Sequence, residues 1–318
     1  MDTNEFYDFI PATDEDEEIV GVIMPVYQHE KYVGQAIESV LMQKTKYKYK
    51  IYIGEDCSKD NSRQIVLDYQ KKNPDKISLM LWKKNSYSVG KKNGGELARK
   101  CRAKYIASLE GDDFWIATDK LEKQIDILEN HNEYYGCAHN IVKVDENNCF
   151  LHRNYAVFPY RYEHIYTKED AKSFRLASQT ASMIYRNFQR DWNDSKWNKY
   201  LNCKSNGDVK KSVYCAMLGD IYYISEIMSA YRCVFNKGSS FNATLSTNQK
   251  IMQGYFNRRA ITDYVYDEFG EKCYIEPYWA DQWTGCKTRF VLKPNLENLR
   301  NVFLMLNDKK DIDRIYSE

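Results

Sequence analysis

Between residues 19 and 109 the chain repeats one pattern: a short run rich in Val and Ile, a polar turn, then apolar positions three and four apart. That repeat constrains the fold more than any other feature. Strands separated by helices join a mostly parallel sheet with helices on both faces, an α/β architecture. Residues 19–26 read as a first buried strand closed by Pro25 and a polar turn. Residues 32–43 read as a helix, with Val33, Ala36, Ile37, Val40 and Leu41 on one stripe. A second strand at 51–54 leads through Glu55-Asp56-Cys57-Ser58-Lys59-Asp60-Asn61-Ser62 to a helix over 63–72, which Asp60 to Ser62 can cap. A third strand spans 77–82, a loop through Gly90, Gly94 and Gly95 leads to a short helix over 96–102, and a fourth strand spans 105–109.

In open sheets of this kind ligands collect at the carboxyl ends of the strands. Three polar segments then converge there: Pro25-Val26-Tyr27, Glu55-Asp56-Cys57-Ser58 and Gly111-Asp112-Asp113. The last is the most informative. In Glu110-Gly111-Asp112-Asp113-Phe114-Trp115 two adjacent carboxylates follow a buried strand, and their repulsion needs relief from a cation, hydrogen-bond donors or a raised pKa. Oxygen-only ligands suit Mg²⁺ or Mn²⁺, whose usual role is to hold phosphates of a bound substrate. An acidic surface turn is the plain alternative.

Beyond this pair, Leu121, Ile125 and Leu128 mark a helix, and residues 136–144 read as a strand ending at Asp145-Glu146-Asn147-Asn148. Residues 151–204 show no sustained period and read as loops and strands over the site. Val209, Val213, Ala216 and Met217 form a helical stripe directly after Asn206-Gly207-Asp208. From residue 240 the alternation stops, and Ile251, Met252, Tyr255 and Phe256, then Leu296, Leu299, Phe303 and Leu306, indicate amphipathic helices. The expected organisation is an acidic extension over 1–18, an α/β domain over 19–239 and a helical appendage over 240–318.

The 46 basic and 45 acidic residues nearly cancel, so nothing in the charge balance proposes nucleic acid as a partner. The nine cysteines are scattered without a Cys-x-x-Cys pair, which indicates neither a zinc site nor a disulfide framework and fits a reducing cytoplasm. No apolar run reaches the roughly 20 residues a membrane span needs. The 27 tyrosines and the Lys/Arg clusters are compatible with peripheral contact at the inner face of a membrane. The five histidines lack metal-ligand spacing, though His29 falls in the turn after the first strand. Gly90-Lys91-Lys92-Asn93-Gly94-Gly95 has neither P-loop nor dinucleotide spacing; Asn93 and its neighbouring lysines are carried as ligand-contact candidates.

Taken together, the motifs resemble the inverting family 2 glycosyltransferases, which have the GT-A nucleotide-sugar-binding fold. The resemblance rests on Val22-Ile23-Met24-Pro25-Val26-Tyr27, Ala36-Ile37-Glu38-Ser39-Val40-Leu41-Met42-Gln43, the Glu55 to Ser62 segment, and the acidic motif followed by Lys120-Leu121-Glu122-Lys123-Gln124. Gly207-Asp208 and Ile227-Met228-Ser229-Ala230-Tyr231-Arg232 extend it to about residue 238. By that resemblance Pro25 and Tyr27 line a nucleotide pocket and Asp56 hydrogen-bonds the nucleobase. Asp112 faces the ribose side and Asp113 binds Mn²⁺ or Mg²⁺, both acids belonging to the metal motif. Asp208 is the expected catalytic base, with helix capping as its structural alternative and Asp220 as a competitor. Where many relatives carry a histidine after the Tyr-Arg pair, this chain reads Cys233-Val234-Phe235-Asn236-Lys237-Gly238, which leaves the third metal ligand open: either Arg232 or Lys237 stabilises the diphosphate or the metal keeps more water.

The resemblance therefore implies a metal-dependent inverting transfer of a hexose or N-acetylhexosamine from a nucleotide-diphosphate sugar, UDP by preference, to a glycan, lipid-linked or glycoprotein acceptor. Two rivals are a nucleotide-sugar-binding scaffold without turnover and a sugar-phosphate nucleotidyltransferase. The second would want a glycine-rich basic loop where this chain has Pro25-Val26-Tyr27-Gln28. The C-terminal helices are open to three uses: pairing subunits into a homo-oligomer, docking a partner or membrane, or packing on their own domain.

Overall fold

The computed structural model describes residues 2–3, 5–14, 17–151, 162–175, 177, 179–234 and 247–316. Strands β1 (Asp2–Thr3) and β2 (Tyr7–Ile10) precede the expected alternation of β3 (Val20–Val26), α1 (Val33–Leu41), β4 (Tyr49–Glu55), α2 (Ser62–Lys72), β5 (Ile77–Trp82), α3 (Asn93–Lys100) and β6 (Tyr105–Ser108). β5, β4, β3 and β6 lie side by side and parallel, with Val26 opposite Glu55 and Ile23 opposite Ser108.

Alternate residues of these strands serve opposite faces of the sheet. Val20, Val22 and Met24 join Val33, Ala36, Ile37 and Val40 of α1 in one buried cluster, whereas Ile23 joins Leu97 and Ala98 of α3 in the other. Both faces are thus covered, which is why the strands read as continuous apolar runs rather than alternating ones. Each fully buried Val, Ile or Leu contributes about 1.5–3 kcal/mol relative to exposure.

The remaining elements are β7 (Phe114–Trp115), α4 (Lys120–Asn130), β8 (Tyr134–Val144), β9 (His164–Tyr166), α5 (Lys168–Lys172), β10 (Ile184–Arg186), α6 (Asp194–Asn202), α7 (Gly207–Leu218) and β11 (Asp220–Arg232). The strand order is β1-β2-β5-β4-β3-β6-β10-β8-β11-β7, with β9 paired to β11. β10 runs antiparallel between β6 and β8, while β8 and β11 are parallel. Of the unperiodic stretch 151–204, residues 152–161, 176 and 178 lie outside the described residues; β9, α5, β10 and α6 come from the rest.

Three features differ from the sequence reading. The acidic lead-in carries β2, which pairs antiparallel with β5, and Glu18 accepts a hydrogen bond from the Tyr52 hydroxyl at 2.6 Å. α3 starts at Asn93, so Gly94 and Gly95 belong to the helix rather than the preceding loop; a Cβ on Gly95 would lie 2.7 Å from a Leu201 methyl. β11 begins at Asp220 immediately after α7 and is far longer than the motif at its end.

The C-terminal helices are α8 (Thr247–Phe269), α9 (Glu276–Leu292) and α10 (Leu296–Tyr316). Tyr255, Ile261, Tyr264 and Val265 of α8 belong to the same core as α7, and Tyr264 meets Tyr200 at 6.0 Å between ring centroids. The appendage therefore packs on the α/β domain. Val291 and Leu292 of α9 and Leu296 and Phe303 of α10 remain exposed. Among the described residues no helix is long and apolar enough to cross a membrane.

Candidate active site

The parallel register brings the strand ends together. Asp56 donates its backbone N–H to the Val26 carbonyl at 3.0 Å, and Gly111 donates to the Pro25 carbonyl at 3.1 Å. Gln28 and Cys57 both adopt φ of 57°, a left-handed conformation that turns the chain sharply after β3 and β4. Ser58 and Ser62 accept backbone N–H groups of Gln28 and His29 at 2.9 and 2.8 Å, which locks the two turns to each other. Tyr27 is half-buried between them.

Glu110, Asp112 and Asp113 each offer a carboxylate oxygen, all within 4.8 Å of one another. A tight turn produces the cluster, with Asp113 donating its backbone N–H to the Glu110 carbonyl at 3.0 Å. Gly111 is required at its apex, since a Cβ there would lie 2.9 Å from both His29 Nδ1 and Val26 Cγ2. The buried Asp113 carboxylate accepts the Arg232 backbone N–H at 2.8 Å and the Gln179 amide at 3.1 Å. One acceptor site remains on each oxygen. Burial first, then the charges of Asp112 and Glu110, hold the Asp113 carboxyl well above the usual carboxylate range. Burial, and after it Asp112, pushes Glu110 up to about 7. Three crowded carboxylates form a donor set that suits a hard divalent cation, which would relieve their repulsion. His29 Nε2 stands 3.7 Å from Asp112.

The structure turns three expected ligand contacts inward. Arg232 is 4% exposed; its Nε donates to the Asp112 carbonyl, its Nη1 to the Asp145 carbonyl and Asn148, and its Nη2 to Gln35. With its guanidinium over the Tyr32 ring at 4.4 Å, it braces the acidic turn from behind. Asn93 accepts from the Trp82 indole at 3.0 Å and donates to the Gly54 carbonyl at 2.6 Å, so both ends of its amide tie α3 to β4 and β5. Asp56 receives the Ser86 backbone N–H and hydroxyl and the Asn85 amide, fixing the turn after β5, although its Oδ1 takes only one of these bonds. Lys237 lies outside the described residues.

Asp208 is the second residue of α7, half-buried, on the wall of a cavity of about 650 Å³ that Pro25, Glu110, Gln179 and Tyr231 also line. Its Oδ1 accepts the Val209 backbone N–H at 2.8 Å. One turn on, Lys211 donates to Ser108 Oγ at 2.8 Å, and its charge counters the raised pKa of Glu110. Asp220 lies beyond the other end of α7, where it pairs with Tyr134 at the start of β11. Asp208 and Glu110 thus line one cavity.

A model of glycosyl transferase family 2 matches residues 21–193, more than half of the chain. The chain belongs to that family. Its fold resembles that of S. aureus TarS in complex with UDP-GlcNAc, with a TM-score of 0.63 at 17% identity over 91% of this chain and 80% of that one. A UDP-Glc:alpha-D-GlcNAc-diphosphoundecaprenol beta-1,3-glucosyltransferase, WfgD of Escherichia coli, is 35% identical over 37% of this chain and 44% of its own. TuaG of Bacillus subtilis, a putative teichuronic acid biosynthesis glycosyltransferase, is 32% identical over 35% and 42%. An uncharacterized protein of Mycobacterium tuberculosis is 25% identical over 77% and 72%. This family 2 glycosyltransferase accordingly has the GT-A fold expected from its motifs.

Sequence reasoning missed two residues of the site. Glu110 was in view as part of the acidic motif, and the glycine after it signals the turn that returns its carboxylate to Asp113. Gln179 had no such signal, because it lies in the unperiodic stretch and reaches Asp113 across 66 positions of chain.

Proposed function

We propose that this glycosyltransferase is inverting and metal-dependent, and that it moves a hexose or N-acetylhexosamine from a UDP sugar to a hydroxyl of a glycan, lipid-linked or glycoprotein acceptor. One observation carries the reading: Asp208 opens a helix on the wall of the same cavity that Glu110 lines. Asp208 takes the proton of the acceptor hydroxyl as that oxygen attacks the anomeric carbon. The new carbon–oxygen bond forms while the bond to the diphosphate breaks, the electron pair leaves with the nucleotide, and the configuration inverts. The half-burial of Asp208 and the Lys211 ammonium one turn away keep the base in a fixed electrostatic setting.

Glu110, Asp112 and Asp113 are the residues that would hold Mn²⁺ or Mg²⁺. Bound there, the cation offsets negative charge on the departing diphosphate. Arg232 holds the turn that presents these acids, and Gln179 orients Asp113. Pro25, Tyr27 and Asp56 are assigned to the nucleoside by the family resemblance. The UDP assignment is supported by the UDP-Glc in the name of one relative and the UDP-GlcNAc held by the fold neighbour. A cytoplasmic site of action belongs to the proposal and is supported by the scattered spacing of the nine cysteines in the sequence.

Nucleotide release measured from UDP-glucose and UDP-N-acetylglucosamine, with and without Mn²⁺, tests the proposal. Metal-stimulated release of UDP is the expected result. Synthesis of a nucleotide sugar from a sugar phosphate would overturn it, as would tight UDP-sugar binding with no turnover on any acceptor.

A further inference from the structure

Gln124 ends the motif Lys120-Leu121-Glu122-Lys123-Gln124 and is fully buried on α4. Its amide nitrogen donates to the Cys137 carbonyl at 2.6 Å and to the Ser182 carbonyl at 3.0 Å. Both carbonyls can only accept, so the amide must face them with its nitrogen and both of its hydrogens are used. Its Oε1 accepts a hydrogen bond from Lys120 Nζ at 2.7 Å. Gln124 therefore has every polar atom engaged and ties α4 to a turn 58 positions further along the chain.

That turn, residues 180–182, is the one that carries Gln179. The fully buried Ser182 accepts the Gln179 backbone N–H through Oγ at 3.1 Å and donates the same hydroxyl to the Gln179 carbonyl at 2.9 Å. The Ala181 backbone N–H donates to Gln179 Oε1 at 2.7 Å. With Oε1 taken by a donor, the amide nitrogen is the end left for Asp113, which it meets at 3.1 Å. Trp115, two residues beyond Asp113, adds an indole N–H to the Ala181 carbonyl at 3.1 Å. Two consecutive carbonyls of the turn are thus held by side chains from α4 and β7.

We propose that Gln124 and Ser182 are positioning residues for the acidic cluster: they hold the turn so that the Gln179 amide fixes the orientation of the Asp113 carboxylate for a divalent cation. The inference rests on the metal-binding reading of Glu110, Asp112 and Asp113. Partners that orient a ligand are worth nearly as much to a metal site as the ligand's own contact. A purely structural role for the two residues would change stability and leave metal affinity alone.

The test uses the full chain with Gln124→Met, Ser182→Ala and Gln179→Leu, and with each of the first two combined with the third. Mn²⁺ affinity is read from the electron paramagnetic resonance signal of the free ion, with no nucleotide present, and urea unfolding is followed in parallel. Each single variant should lose about 10–100-fold in Mn²⁺ affinity, the usual cost of removing a partner behind a ligand. In the Gln179→Leu background neither Gln124→Met nor Ser182→Ala should cost anything further. Unchanged Mn²⁺ affinity in both variants overturns the proposal, as does a further loss of similar size in the Gln179→Leu background. Ser182→Ala carries the same outcomes if Gln124→Met does not fold. A wild type that binds neither Mn²⁺ nor Mg²⁺ overturns the metal reading instead. Crystal structures of the variants then decide the positioning by themselves: Gln179 displaced from Asp113 supports it, and Gln179 unmoved overturns it.

Discussion

Arg232 holds Asp113 through its own backbone N–H at 2.8 Å, and reaches past it to the Asp112 carbonyl with Nε, also at 2.8 Å. The end of β11 is thereby fastened to the acidic turn after β6. Lysine at 232 would keep the backbone bond and lose the planar fork that joins Asp112, Asp145, Asn148 and Gln35. Arg232→Lys should lower unfolding free energy by about 1–3 kcal/mol and weaken Mn²⁺-dependent UDP binding, as read by urea unfolding and calorimetric titration. Unchanged metal-dependent binding would show that the brace has no part in shaping the site.

Asp113→Asn keeps an acceptor for Arg232 while removing charge from the cluster. Binding of UDP in the presence of Mn²⁺ should weaken at least tenfold, with little change when metal is left out. Isothermal titration in both conditions measures the difference.

Asp208→Asn should leave UDP-sugar binding nearly intact and reduce transfer by about 10²–10⁴-fold, the usual contribution of a positioned base. Asp220→Asn, beyond the far end of α7, is the control and should retain near wild-type turnover. The reverse outcome would move the base to Asp220.

At Gly54 the backbone passes so close to α3 that a Cβ would lie 2.0 Å from Asn93 Oδ1 and 2.7 Å from a Leu97 methyl. Gly54→Ala should destabilise the protein by about 1–3 kcal/mol through overpacking. Chemical denaturation checks this; a stability within error of wild type would mean that Asn93 yields easily.

Lys120 is fully buried, with Nζ 2.7 Å from Gln124 Oε1 and 4.2 Å from the Trp115 ring centroid. Burial lowers its pKa from 10.5 to about 7. Between those values the unfolded chain binds a proton that the folded chain does not, so stability rises with pH across that window, by at most about 1.4 kcal/mol per unit. Below pH 7 the penalty is fully present and constant. Replacement by Met should remove this rise, and thermal unfolding of both proteins at pH 7 and pH 9 would reveal it. Equal pH dependence in the two proteins would assign the effect to another group.

By itself the sequence determined the parallel half of the sheet. Its strands are buried on both faces, so unbroken Val and Ile runs mark them, and the three-and-four spacing of Val33, Ala36, Ile37 and Val40 marks the helix between. The acids Asp112, Asp113 and Asp208 were legible too, because residue type and position after a strand or before a helix are local properties.

The tertiary structure alone decided which of these groups are engaged within the protein. Asn93 and Arg232 read as ligand-contact candidates in the sequence, yet Trp82, Gly54 and the acidic turn engage them. Glu110 and Gln179 join the site only because a glycine turn and a distant 3₁₀ turn, residues 180–182, place them beside Asp113. The stretch 151–204 stayed unreadable for the same reason: its short strands and helices are held by partners far away in the chain, so no local period records their burial. Pairing across long loops is set by the complementarity of surfaces that exist only once the sheet has formed.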